Sequence, residues 1–402
     1  MSEIQDFGAI VFVVGVAFTA AVLAAKVTTR IPVPTPAIFL IVAAVASDVF
    51  PRLSDYLSVR DVTRIGVIAL VVILFHGGMD IGLGRFRVAA FPTLALGIPG
   101  TFATAGIIAL VAHWGLGFAW ITAWIIGAAI APTDPAVMFS VLGGREVGGR
   151  SGTILEAESG TNDPVGIALM IGMLELATHP GDSVFVVVQE FLIEMSVGAA
   201  IGIAAGYLLV AINNRVALPG WTLYPLLTLA IALTIYGGTA LLHGSGFLAV
   251  FIAGLIAGGR DFVHKRETKR FHGALANLAE IVVFVALGLT VDLTDIGTWK
   301  VGGYALVLAV VLAVVARPAV VLALLAPARL HLGERLFIAW AGLKGAVPIL
   351  LAAFAVLQGV DQASRIYLIV FVVVIFSVVL QGSPIELVAR RLGVPVVAAD
   401  RD

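Results

Sequence analysis

Cysteine is absent from the 402-residue chain, which excludes disulfides and thiolate metal sites while leaving the compartment open. Charge is scarce as well. Only 12% of the residues are Asp, Glu, Lys or Arg, and their formal sum is −1, so there is no basic field for nucleic acid. The opening residues MSEIQDFGAIVFVV hold acids and no Lys or Arg ahead of their apolar run. That is the wrong flank for a cleaved secretory signal, and the segment reads as a first membrane span. Linkers are missing too, because Gly and Pro scatter through apolar runs instead of gathering between them, and no soluble domain is expected. What fills the chain is hydrophobic side chains, at 60%, more than one water-soluble core can wrap. These observations imply an all-α polytopic membrane protein.

Apolar runs of about 20 residues cross roughly 30 Å of hydrocarbon. Thirteen are read here: 7–25, 35–50, 64–82, 89–113, 118–142, 152–178, 183–212, 221–242, 246–259, 272–291, 301–326, 334–357 and 365–389. Of these, 35–50 and 246–259 are short for a full crossing and call for tilt or a locally thin bilayer. An odd number puts the termini on opposite sides. Seventeen of the 24 basic residues fall in one alternate set of loops with the C-terminal tail and five in the other set, so the N-terminus is expected outside and the C-terminus in the cytoplasm, across a plasma (inner) membrane. Residues 1–391 then form the transmembrane domain and 392–402 a short cytoplasmic tail. The most basic stretch, GGRDFVHKRETKR at 258–270, reads as a solvated cytoplasmic loop.

Depth singles out three charges. Asp134, Asp163 and Lys344 each lie about halfway along a span, where an ionised side chain costs roughly 2.5–3.5 kcal/mol. Polar contacts between membrane helices return only about 0.6 kcal/mol on average, so a purely structural role leaves the charges unexplained. Backbone breakers flank two of them. Pro132 and Pro135 surround Thr133 and Asp134, and Gly345 and Pro348 follow Lys344; each Pro frees carbonyls that only buried protein or a water-filled cavity can satisfy. Spans 118–142 and 334–357 are therefore read as discontinuous helices. They run in opposite directions, the pattern of inverted repeats with two crossing broken helices. One acid and one base, Asp134 and Lys344, suit the partial charges of the exposed helix ends. The halves differ in one respect: 29 residues after Asp134 stands Asp163, whereas 29 after Lys344 stands Val373. Asp163 is then the one titrating carboxylate expected at the crossing.

Three segments, APTDPAVMFSVL, ESGTNDPVGI and GLKGAVPILLA, in that order on the fifth, sixth and twelfth spans, resemble the monovalent cation/proton antiporters, specifically the NhaP-like electroneutral branch related to sodium/hydrogen exchangers and closest to its potassium/proton members. The resemblance covers essentially the whole chain. It implies a secondary antiporter exchanging K+ or Na+ for H+, with Asp163 alternately binding cation and proton and with Thr133, Ser159 and Asn162 completing the ion site. It implies core helices at about 89–178 and 301–389, the rest forming scaffold and a homodimer interface, and it implies no cofactor beyond the transported ions. It also implies that Glu158, one turn before Asn162, pairs with a base on the second broken helix, here Lys344. An Asn-Asp pair at the site implies electroneutral exchange.

Two positions depart from the resemblance. Lys344 stands where Arg is usual, which keeps charge and loses the planar fork. His76, in ILFHGGMD, stands where an acid is expected; it reads as a satisfied helix-end histidine, with a pH-modulating role as the alternative. Arg317 is expected to snorkel or pair locally, Glu280 is a candidate partner for a base, and the small residues of GAAIGIAAG, 198–206, suggest close helix packing at a subunit contact. A cation-coupled symporter or a channel on the same scaffold is the rival reading. An intramembrane aspartyl hydrolase using Asp134 and Asp163 lacks any supporting signature, so no enzyme activity is expected.

Overall fold

The computed structural model describes residues 34–49, 58–142, 145–179, 183–291 and 299–398, with a few isolated positions besides. The expected first span, 7–25, lies outside the described residues apart from four single positions. Helices dominate what is described, as a chain without water to satisfy its backbone requires. Six of its helical stretches are long and apolar enough to cross a membrane, among them Val59–Gly115, Val184–Arg215 and Lys300–Leu324. Together with shorter apolar helices they build the expected inverted-repeat fold.

After α1 (Thr35–Val49) comes α2 (Val59–Ala95), which continues through a π-helical turn, Leu96–Gly100, into α3 (Thr101–Leu110). This path holds two expected spans, 64–82 and 89–113, and it breaks between them at Gly82, where φ is 67° and ψ is 155°. Only glycine takes that conformation without strain. Then come α4 (Trp120–Ile130) and α5 (Pro135–Leu142), the long α6 (Gly149–Thr178) and α7 (Val184–Arg215), α8 (Leu223–Leu241), α9 (Gly246–Gly258) and α10 (Lys265–Gly288). The second half is α11 (Trp299–Val311), α12 (Arg317–Leu324), α13 (Leu332–Trp340), α14 (Ala346–Leu357) and α15 (Ala363–Ile375), closed by α16 (Ile385–Arg391).

The short α9, whose 13 residues reach only about 20 Å, is held by backbone-close packing on two sides. A Cβ added at Gly254 or Gly258 would come within 2.4 Å of the Phe75 or 2.2 Å of the Met79 carbonyl oxygen on α2. On its other flank, Cβ atoms at Gly198 and Gly202 of α7 would strike Ser245 and Ala249 at 2.6 and 2.7 Å. The glycines of the GAAIGIAAG stretch thus pack within the chain, against α9, as close helix packing was expected of them.

Three other expectations change in detail. The basic stretch 258–270 is only partly loop, since α10 begins at Lys265. The last span ends at Gln381 through a π-helical turn, Phe376–Gln381, and α16 is a separate helix after it. Nor is the tail loose: β1 (Arg145–Val147) and β2 (Val396–Ala398) form an antiparallel pair, a small exception to the all-α reading.

Both broken helices are present. The first is α4 and α5 with the break around Pro132–Asp134; the second is α13 and α14 with the break at 341–345. Six crossings lie between them, α6 to α10 and then the α11–α12 stretch, so the two run oppositely. Every described element from α4 to α6 and from α12 to α15 serves to hold the breaks against one another.

Candidate functional site

The crossing follows from where proline stops the backbone from pairing with itself. Pro135 has no N–H to offer Ala131, and the chain at Pro132 is not yet helical, so two carbonyls at the end of α4 lack intrahelical partners. Lys344 takes both. Its Nζ donates to Ala131 O and Pro132 O at 2.8 Å each, and the side chain is 1% exposed. In return the Asp134 N–H donates to Leu343 O at 2.8 Å, stitching the two breaks together. The Asp134 carboxylate lies at the N-terminus of α14, so close that a Cβ on Gly345 would fall 1.8 Å from its Oδ2. Cation on a helix C-terminus and anion on a helix N-terminus complement the partial charges of both half-helices.

The opposite end of the second break is capped without charge. Gln381 Nε2 donates to Trp340 O, the end of α13, at 2.5 Å, and Trp340 Nε1 donates to Gln381 O at 3.0 Å. The Ser377 hydroxyl accepts from the Lys344 N–H at 3.0 Å and donates to Gln381 Oε1 at 3.2 Å.

Beside the first break runs α6. Its Asp163 is 4% exposed, has Ser159 one turn before it on the same helix face, and keeps an Oδ1 with no hydrogen-bond partner among the described residues. A Cβ on Gly97, in the π-helical turn after α2, would meet Thr161 at 2.6 Å, so a glycine at a bulge lets that helix press against α6 here. Asp163 and Ser159 line a cavity of about 450 Å³ together with Asp134, His76 and Glu280. Thr133 and Asn162 do not line it; Asn162 Nδ2 donates to Thr133 Oγ1 at 2.7 Å. The four expected ion-site residues thus gather as two pairs, one facing the cavity and one tying α6 to the broken helix. Asp80, Arg145, Glu146 and Glu156 line the same cavity.

Glu158 does not pair with Lys344. It meets Arg317, Nη1 to Oε1 at 2.6 Å and Nη2 to Oε2 at 2.7 Å, with exposures of 0% and 3%. The physical reason is shape: a planar guanidinium spans both carboxylate oxygens, here with Nη2 hydrogen bonded to Oε2 and Nη1 within ion-pair distance of Oε1, while an ammonium suits two carbonyls at a helix end. Arg317 therefore neither snorkels nor pairs locally. Its guanidinium lies on Gly342, where a Cβ would come within 2.5 Å of Nε. The signal that could have found the pair was Arg317 itself, a base deep in an apolar run with no acid nearby in sequence, which needs a buried carboxylate from elsewhere. Nor is His76 a satisfied helix-end residue: it lines the cavity and its Nδ1 is buried without a partner.

Two broken helices crossing at mid-depth, charge-balanced at their ends and flanked by a buried carboxylate with an unsatisfied oxygen beside a cavity of about 450 Å³, make the scaffold of a secondary transporter for small cations. The chain belongs to the family described as "Sodium/hydrogen exchanger, transmembrane", which matches residues 14–391. It is 36% identical over 391 residues to the K(+)/H(+) antiporter NhaP of Alkalimonas amylolytica, covering 96% of this chain and 67% of that protein. It is 33% identical to the K(+)/H(+) antiporter NhaP2 of Shewanella oneidensis, covering 94% and 66%. The chain therefore spans about two thirds of the length of these relatives. In fold it is similar to the sodium proton antiporter MjNhaP1 of Methanocaldococcus jannaschii, with a TM-score of 0.81 at 22% identity over 95% of this chain and 98% of that one.

Proposed function

We propose that the chain exchanges a monovalent cation for a proton, one for one, by competition at Asp163. The observation that carries this is the orphaned Oδ1 of a buried carboxylate facing an aqueous-sized cavity at the helix crossing. An ionised carboxylate without a partner is too costly to carry through a dry barrier, whereas the protonated or cation-bound form is neutral. Only neutralised forms move, so exchange stays coupled. Ser159 and released main-chain oxygens supply further hard ligands suited to K+ or Na+. Asn162 and Thr133 position Asp163 by joining α6 to the first break, and the Glu158–Arg317 pair anchors α6 to α12. The names of the relatives favour K+ as the first cation to try.

Arg145 and Glu146, in a loop on the Lys/Arg-rich side of the chain, are among the residues lining the cavity, which supports an inward-facing state on the positive-inside rule. The test is flux in proteoliposomes with K+, Na+ and Li+ over several pH values. Asp163→Asn is expected to reduce cation-driven proton movement to the background of empty vesicles. Near-normal exchange in that variant ends the proposal, and a marked change of rate on imposing a membrane potential ends its electroneutral form.

A further inference from the structure

The cavity has a second unsatisfied acid that the mechanism above does not use. Ala276, Asn277, Glu280, Val283 and Phe284 of α10 line it, a spacing of i, i+1, i+4, i+7 and i+8 that puts them on one face of a single helix. Three of the five are apolar, as a packed helix face requires. Glu280 is not, and its Oε1 is shielded from solvent without a hydrogen-bond partner.

A carboxylate at that depth calls for a base, and apart from His76, whose Nδ1 has no hydrogen-bond partner, the bases around the cavity are engaged elsewhere. Lys269 Nζ pairs with Asp80 at 2.7 Å, Arg85 with Glu156 at 3.2 Å and Arg145 with Glu386 at 2.6 Å. Lys344 holds the α4 carbonyls and Arg317 holds Glu158. Among the described residues no ion pair reaches Glu280. Two carboxyl groups on two helices, Asp163 on α6 and Glu280 on α10, thus line one cavity, each with one buried oxygen that has no hydrogen-bond partner. Structural ion pairs do not look like this; a carboxyl kept for packing alone would be matched or replaced by an apolar residue.

We propose that Glu280 is a capture site for the transported cation, a second carboxylate on the transport path that holds the partly dehydrated ion before Asp163 receives it. Glu280 stands on the cavity wall with one oxygen shielded from solvent, where a single charge counts for more than at the surface. Asn277, one turn earlier on the same face, offers an amide oxygen as a neutral co-ligand. This rests on the exchange proposed above, and it concerns how the ion arrives rather than whether it is exchanged.

The experiment compares Glu280→Gln, Glu280→Asp and Asp163→Asn in proteoliposomes, with apparent KM for K+ and Na+ and maximal rate read separately. Glu280→Gln is expected to raise the apparent KM about tenfold while the maximal rate falls less than about twofold; Glu280→Asp is expected to recover part of that loss. An unchanged KM in Glu280→Gln overturns the inference, as does an equal loss of maximal rate in both Glu280 variants without a KM change, which marks a packing role. Should Glu280→Gln fail to fold, the cation dependence of Tm in detergent for Glu280→Asp against the parent decides: a weaker K+-induced rise supports capture, and an identical rise refutes it. Exchange surviving in Asp163→Asn refutes the competition scheme instead, whatever Glu280 does.

Discussion

The two broken helices solve one backbone problem in two ways. At the end of α4 the freed carbonyls are taken by a charge, Lys344 Nζ; at the end of α13 the Trp340 carbonyl is taken by a neutral amide, Gln381 Nε2. Their companion helices differ in the same sense. α6 carries Glu158 and Asp163, whereas α15 has the fully buried Val373 at the position corresponding to Asp163. A fold with inverted repeats needs both ends capped, but it needs ionisable chemistry only once. In the exchange proposed, one half supplies the acid that titrates, and the other supplies a fixed cation and a rigid neutral lock. A second free acid at Val373 would add a second exchanged charge, and its absence fits one-for-one exchange.

Breaking the charged half should do most damage at the Glu158–Arg317 pair. Removing one partner strands a buried charge, a loss of about 3–5 kcal/mol. Arg317→Met is expected to give the largest fall in Tm of the series in detergent, and Glu158→Gln on the Arg317→Met background should restore part of it. A Tm for Arg317→Met within error of the parent would show that the pair contributes little beyond geometry. Arg317→Lys should recover charge but not full stability, because a compact ammonium does not span both carboxylate oxygens as the planar guanidinium does.

The contrast between charged and neutral caps gives the next step down. Lys344→Met leaves the Ala131 and Pro132 carbonyls buried without a donor, about 1–3 kcal/mol, and removes the fixed cation beside Asp163, so exchange should fall together with Tm. Gln381→Leu leaves one neutral acceptor and disturbs Ser377, about 1 kcal/mol, and its exchange rate should stay near that of the parent. Equal losses of exchange in the two variants would mean that the charge at the crossing has no role beyond capping.

Much of this contrast was visible in the chain before any coordinates. Pro132, Pro135, Gly345 and Pro348 announce breaks because proline cannot donate, and Asp134, Asp163 and Lys344 announce a polar crossing because charge at mid-depth is costly. Pairing was less legible. Glu158 had two buried bases to choose from, and spacing along a helix does not reveal which distant helix faces it; Arg317 was chosen by shape, through a neighbour, Gly342, whose lack of a side chain makes room. His76 and Glu280 were misjudged for a related reason. A cavity is made by several helices at once, so whether a polar residue meets a partner or open space is a property of packing that no local pattern carries. The π-helical turns and the β1–β2 pair were likewise invisible, the first because one inserted residue leaves the apolar period nearly intact, the second because three-residue strands give too short an alternation.

The smallest expected effect lies outside the membrane and binds the two halves together. Arg145, in the loop that follows the first broken helix, meets Glu386 of α16, after the last span, by two bonds of 2.7 and 2.6 Å, and β1 pairs with β2 alongside. The Arg145 hydrogen bond holds the Glu386 carboxyl below its ordinary 4.5. Because the folded value is the lower one, this contribution is complete above the ordinary value and is lost as pH falls through the depressed one. The pair is largely open to solvent, so it is worth under about 1 kcal/mol. Glu386→Gln is expected to lower Tm slightly at pH 7 and to converge with the parent as pH falls below the depressed value. A difference that persists undiminished in acid would assign the effect to packing of α16, and a loss of exchange at pH 7 would show that this clamp also steers the cavity mouth, where Arg145 and Glu146 both stand.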